Sequence, residues 1–146
     1  MSMSNAAEAA MLDLLFLNID WANVGDAAGL QNSAVAGNFY VALHTADPGE
    51  AGTQATSECT YTGYARVAIP RTAGGFTRTI DTIANTAAVT FGQCTAGMET
   101  ATYFSLGVAS AGATVILFSG ALSASLLIQS PVQPIFAIGT MTVQVD

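Results

Sequence analysis

The run Ala101-Thr-Tyr-Phe-Ser-Leu-Gly-Val-Ala109 is followed by Thr114-Val-Ile-Leu-Phe118, Leu122-Ser-Ala-Ser-Leu-Leu-Ile128, Ile135-Phe-Ala-Ile138 and Met141-Thr-Val-Gln-Val145, and these five segments decide the fold. Each is short and apolar or small in composition, and glycine, serine or proline separates one from the next. Strands at a spacing of about 8–12 residues with such punctuation indicate an antiparallel sandwich or barrel. No residue from Thr100 to Val145 is charged, so a membrane span has to be weighed. A spanning helix needs ~20 predominantly apolar residues in a row. Here Gly107, Gly112, Gly120, Ser123, Ser125, Pro131, Pro134 and Gly139 break every apolar run, which excludes one.

Working back from that stretch, the strand pattern continues. Phe39-Tyr-Val-Ala-Leu-His44 reads as a strand ended by Asp47-Pro48-Gly49, in which proline presets φ near −65° and glycine accepts positive φ. Residues 50–58 read as a loop, Cys59 to Ile69 as a strand closed by Pro70, and Phe76 to Ile80 and Thr86 to Phe91 as two more strands. Only the N-terminus has a helical period: Met11, Leu12, Leu15, Phe16 and Ile19 fall on one face. Asn5 with Glu8 three residues later forms a variant of the capping box. Leu14 and Leu17 extend the apolar surface past one stripe, so this helix is expected to meet its own sheet and something else. The expectation is a mainly β chain: a single antiparallel β-sandwich or barrel-like domain over residues 38–146, preceded by a short N-terminal α-helix in a helical arm and loop over residues 1–37.

Composition narrows the function. The 146 residues carry three arginines, no lysine and ten acids, a net charge of −7, with 9% charged and 51% hydrophobic residues. Average chains hold about 25% charged residues. Three cations cannot neutralise a nucleic-acid backbone or dock on an anionic membrane, so no nucleic-acid or membrane partner is expected. The first ten residues contain no Arg or Lys, so the basic start of a secretory signal is missing. Synthesis in the cytoplasm is expected, with Cys59 and Cys94 reduced, although a disulfide in an oxidising setting stays open.

Chemistry has little to work with. A Ser–His–Asp site would have to use His44, the single imidazole, with Asp47 and Ser57 or Ser33, and common residue types prove nothing without geometry. Ser105 lacks the G-x-S-x-G surroundings of a nucleophile elbow. Asp47, Glu50 and Glu58 fall short of the 6–8 oxygen ligands that Ca²⁺ takes. No P-loop or G-x-G-x-x-G occurs. The chain is therefore expected to be no enzyme, to have no catalytic or metal-binding residue, and to need no cofactor. Arg66, Arg71 and Arg78 carry all the positive charge within thirteen residues. They suit either salt bridges to an acidic neighbouring subunit or pairing within the chain. With Met11, Leu12, Leu15 and Phe16 they are the expected interface residues. Trp21, Tyr61 and Tyr64 would serve a carbohydrate-binding alternative if exposed.

The run Val41-Ala-Leu-His-Thr-Ala-Asp-Pro-Gly-Glu-Ala-Gly52, then Gly63-Tyr-Ala-Arg-Val67 and the closing Phe136-Ala-Ile-Gly-Thr-Met-Thr-Val143, resembles a family of small virion proteins of tailed bacteriophages, often labelled tail-fibre or hypothetical virion proteins. The resemblance covers most of the chain after residue 38, while the Asp20 to Asn38 connection is longer than the family pattern. It implies a structural protein and brings no catalytic residue with it. Small neutral outward faces and edge strands without lysine suit permanent contact better than water. The expected function is a capsid decoration (cement) protein, a homotrimer bound to the major capsid protein on the capsid surface. The alternative is a tail, baseplate or tail-fibre-associated structural protein with tail proteins as partners. Fibres usually show repeats or a heptad stalk, and neither is found.

Overall fold

A computed structural model describes residues 2–145. Ser4 starts the helix α1 (Asn5–Leu12): it is extended at φ −85° and ψ 152°, and its hydroxyl accepts the Ala7 N–H at 3.4 Å. Serine is a preferred N-cap because its oxygen satisfies an orphan N–H. The cap is thus one residue earlier than the Asn5–Glu8 box implied. A π-helical turn (Asp13–Leu17) follows, and Asn18 closes it in the left-handed region at φ 57°. Leu12 and Phe16 are fully buried, whereas Ile19, expected on the same face, lies past the helix end and is 51% exposed. Met11 and Leu15 are half-buried.

Nine strands follow, named β1 (Asn38–His44), β2 (Val67–Pro70), β3 (Phe76–Thr79), β4 (Thr82–Asn85), β5 (Val89–Thr90), β6 (Met98–Gly107), β7 (Ile116–Gln129), β8 (Ile135–Phe136) and β9 (Thr142–Gln144). The chain is mainly β with one short N-terminal helix, as its strand pattern implied. The chain groups into two compact units. One takes the chain up to Asn38, Pro70–Ala88 and the chain from Phe136 onward; the other takes Phe39–Ile69 and Val89–Ile135.

In the first unit the sheet order is β3-β4-β9, with Phe76 opposite Asn85 and Ile83 opposite Val143. Phe16 meets Phe76 edge to face at 5.0 Å between ring centroids, an arrangement in which the positive rim of one ring faces the negative face of the other. Asn18 ties the long connection down: its side-chain amide donates to the Ser33 carbonyl and its oxygen accepts the Ser33 N–H. β4 lies where no strand was read. Its turn is Ile80-Asp81, and a two-residue turn bearing a β-branched residue at φ 57° carries none of the usual Asn-Gly or Asp-Gly signal.

In the second unit a four-stranded sheet runs β2-β1-β6-β7. β1 and β6 pair antiparallel from Tyr40 opposite Gly107 to His44 opposite Tyr103. Val41, Ala42, Leu43, Ala101, Leu106 and Ile128 are almost wholly buried. The segments 114–118 and 122–128, read as two strands, are one strand, β7, with a register shift where Ala101 faces Leu126 and Tyr103 faces Ala121. Bulges of this kind let an uninterrupted strand bend. Residues 59–66, read as strand, make only isolated bridges, such as Thr62 with Ala96.

Candidate functional site

The polar residues of the second unit converge on one buried cluster. β1 ends on His44, which is 0% exposed and shares a sheet face with Ser105 of β6, also 0% exposed. His44 Nδ1 lies 2.8 Å from the Thr56 carbonyl and must donate to it, which leaves Nε2 to accept the Ser105 hydroxyl at 2.8 Å. Burial pushes the imidazole pKa below its ordinary 6.5, because desolvation penalises the cation. Gln54, again 0% exposed, donates to the Tyr40 carbonyl at 2.9 Å, and its oxygen accepts Arg66 at 3.2 Å and the Thr114 hydroxyl at 3.1 Å. Gly107 makes room for it: a Cβ there would stand 2.1 Å from Gln54 Cδ.

Arg66 is the hub. Its Nε and one terminal nitrogen donate to the two Glu58 oxygens at 2.7 Å each, a fork-on-fork pair. The guanidinium also donates to the Ala109 and Gly112 carbonyls at 3.0 and 2.7 Å, so it fastens the β6–β7 connection. Its side chain is 2% exposed and that of Glu58 16%. The hydrogen bond to Glu58 raises the Arg66 pKa further and keeps the charge fixed. Tyr64 donates to Glu58 at 2.9 Å and accepts the Leu43 N–H at 3.1 Å, and burial pushes its phenol pKa up. Every buried side-chain polar atom among the described residues has a partner. Such a network can hold loops to a sheet. As chemistry it is closed, since Ser105 and His44 have no exposed surface.

The residues singled out from the sequence do not form one patch. Arg78 pairs with Asp13 at 2.6 Å, and Arg71 donates to the Leu14, Leu15 and Ala36 carbonyls, so both clamp the N-terminal segment within the first unit. All three arginines have partners inside the chain. Leu12 and Phe16 are core, and Met11 and Leu15 are half-buried beside them. Tyr61 is 4% exposed and Tyr64 is half-buried; their rings meet at 5.4 Å, and Tyr64 stacks on Phe91 at 6.1 Å. They are therefore not the exposed aromatics that carbohydrate binding would need. Asp47 accepts the Gly49 N–H at 2.9 Å, fixing its turn. Cys59 and Cys94 are both buried free thiols, and burial raises the Cys59 pKa to about 12.

Sequence reasoning missed Gln54, Glu58 and Glu99 as structural groups. Glu99 accepts the Thr60 and Tyr61 N–H groups at 2.7 Å each. These acids lie in or face irregular chain, where no period signals which way a side chain points.

The other conspicuous feature is β7. It is the last strand of its sheet, and its odd-numbered positions, Leu117, Ser119, Ala121, Ser123, Ser125, Leu127 and Gln129, are all exposed. Its even-numbered positions, Ile116, Phe118, Leu122 and Leu126, are only half-buried. No helix among the described residues is long and apolar enough to cross a membrane.

A β-rich module whose charges are spent on holding its own loops, and whose longest strand is left neutral at an edge, has the make-up of a structural component. The comparison with family models agrees: residues 2–144 match the family described as Podophage GP4 fiber I protein gp80, and the chain belongs to it. It is thereby a structural protein of a tailed-phage virion, and the family favours the tail-fibre alternative over capsid decoration. No curated protein matches the chain.

Proposed function

We propose that this chain is a non-enzymatic, tail-fibre-associated structural protein that works as part of an assembly with other tail proteins and with copies of itself. The observation that carries this is the distribution of charge. The three cations serve internal clamps on Glu58, Asp13 and backbone carbonyls, and the strand with the most outward surface has no charged residue. A surface built this way suits lasting protein contact more than dispersed life in water. The closed His44–Ser105 pair supports a role without catalysis, because a nucleophile must be reachable.

The test is location and copy number. Labelled antibody against this chain, imaged on intact virions, is expected to mark the tail, with mass-spectrometric copy number at a small multiple of three or six. Label spread over the head, with hundreds of copies, would replace this reading by the capsid decoration one.

A further inference from the structure

We propose that β7 is a self-association edge, and that two copies of this chain pair β7 against β7, antiparallel across a two-fold axis. The pairing would join two four-stranded sheets into one continuous eight-stranded sheet.

The first support is how the other sheet edges are treated. An unpaired edge strand templates further pairing, so proteins blunt it with shortness, proline, lysine or another charge. At the far side of the same sheet, β2 has four residues and ends in Pro70. In the three-stranded sheet the edges β3 and β9 have four and three residues, and β5 and β8, which pair with each other, have two each. β7 has 14 residues, no proline and no charge. Its bulge, where Ala101 faces Leu126 and Tyr103 faces Ala121, is the one blunting device it carries. Shortness or proline blunts β2, β3 and β9, whereas the longest edge relies on its bulge alone.

The second support is charge, and it selects the occupant. Each copy carries a net charge of −7, so most ways of bringing two copies together set carboxylates against carboxylates. No acid lies between Glu99 and Asp146, and a β7–β7 contact avoids that repulsion along its length. The contact is also self-complementary, because the same run of Ser, Ala, Gly and Leu faces itself, as a closed two-fold interface requires.

Size is the third. β7 follows the ten residues of β6, with four of its own 14 residues taken up by the register shifts, so at ~3.3 Å per residue it runs roughly 33 Å. A ribbon of that length about 10 Å deep covers roughly 330 Å² on each copy, or about 660 Å² in all, the size of a small, reversible contact. Leu117 and Leu127, 40% and 49% exposed, and Met98, 72% exposed on the neighbouring strand, would add apolar area.

The proposal rests on the reading of the chain as a self-associating virion component, and its test is separable from the test of location. The full chain is compared with the triple variant Ser119→Lys, Ala121→Lys, Ser123→Lys by light scattering across a concentration series. All three positions are exposed, and unchanged circular dichroism and melting of the variant's monomer confirm its fold. Ala68→Lys, at an exposed position on β2, is the control. Expected is a particle of twice the 14.9 kDa chain mass for the wild type and the control, with dissociation at least tenfold weaker in concentration terms for the triple variant. A wild type that stays monomeric at 100 µM (roughly −5.5 kcal/mol or weaker) overturns the proposal, as does a dimer or trimer indifferent to the three lysines. Either failure leaves a tail label on virions untouched. A head label with a lysine-sensitive dimer would instead overturn the fibre reading and keep the β7 edge.

Discussion

Replacing Arg66 by methionine keeps the length of the side chain and removes the charge at the centre of the second unit. Six hydrogen bonds go with it: two to Glu58 and one each to Gln54, Thr114, Ala109 and Gly112. Their loss is unequal. Gly112 is exposed and Ala109 half-buried, so those carbonyls can turn to water. Glu58 is different, because its side chain is 16% exposed and the Tyr64 hydroxyl is its one remaining donor among the hydrogen bonds described. Breaking one side of a buried pair costs about 3–5 kcal/mol, chiefly from the orphaned charge. The water and the phenol left to Glu58 put this case near ~3 kcal/mol. For a chain of this size that is a fall in Tm of roughly 6–12 °C, measurable by calorimetry or urea titration. The double variant Arg66→Met with Glu58→Met is expected to recover ~1–2 kcal/mol, since it removes the orphan. A single variant within ~0.5 kcal/mol of wild type, or a double variant worse than the sum of both singles, would refute the assignment of Arg66 as the clamp.

Three further outcomes follow from the same structure. Because burial lowers the His44 pKa below 6.5, the unfolded chain binds the extra proton in the interval between the two values. The His44 contribution is therefore complete above about pH 6.5 and is lost as pH falls below it, at no more than ~1.4 kcal/mol per pH unit; urea midpoints from pH 7.5 to 5 should show a slope that His44→Gln reduces. Gly107→Ala places a methyl 2.1 Å from Gln54 Cδ and 2.6 Å from the Val115 carbonyl oxygen, an overpacking expected to cost ~2–3 kcal/mol, and Gln54→Ala in the same chain should restore part of the midpoint while the backbone clash persists. Ile80 sits at φ 57° and is 66% exposed, so Ile80→Asn should raise stability by ~0.5–1 kcal/mol, Asn tolerating the left-handed region at lower cost; an unchanged or lower Tm would show that the turn carries no such strain.

The parts of the fold visible in the sequence are those governed by local rules. β1 was readable because Phe39 to His44 is an unbroken apolar run stopped by Asp47-Pro48-Gly49, and Asp47 does fasten that turn. The helix was readable from its alanines and from Leu12 and Phe16, but its cap was misplaced by one, since Ser4 and Asn5 are both good caps. β4 was hidden because Thr82-Ile-Ala-Asn85 is short and polar and its buried residues, Ile83 and Asn85, are defined by partners far along the chain: Asn85 donates to the Ala87 and Ala137 carbonyls and accepts the Met141 N–H. The division of β7 into two strands followed from Gly120 and the serines, which mark a bulge inside one strand as readily as a turn between two. The buried network lay out of reach for the same reason as β4. Gln54, Glu58 and Arg66 acquire their meaning from Ser105 and Thr114, some 50 residues later, and no periodicity records that.

The scarcity of charge, read at first only as a mark against nucleic acid and membranes, has a more specific sense once partners are known. Asp20, Asp26, Asp47 and Glu99 each accept backbone N–H groups at turns or loops, Asp13 and Glu58 hold arginines, and Arg71 holds backbone carbonyls at the end of the helix. Charged groups here take the place that a larger core would fill, pinning long irregular segments whose backbone polar atoms would otherwise need water. That use consumes them. What remains exposed on β7 is serine, alanine, two leucines and a glutamine, a surface without the charge that would repel a second copy. A chain that spends its ions inward leaves β7 without the charges that usually keep an edge strand single, and that is the property the three lysine substitutions restore.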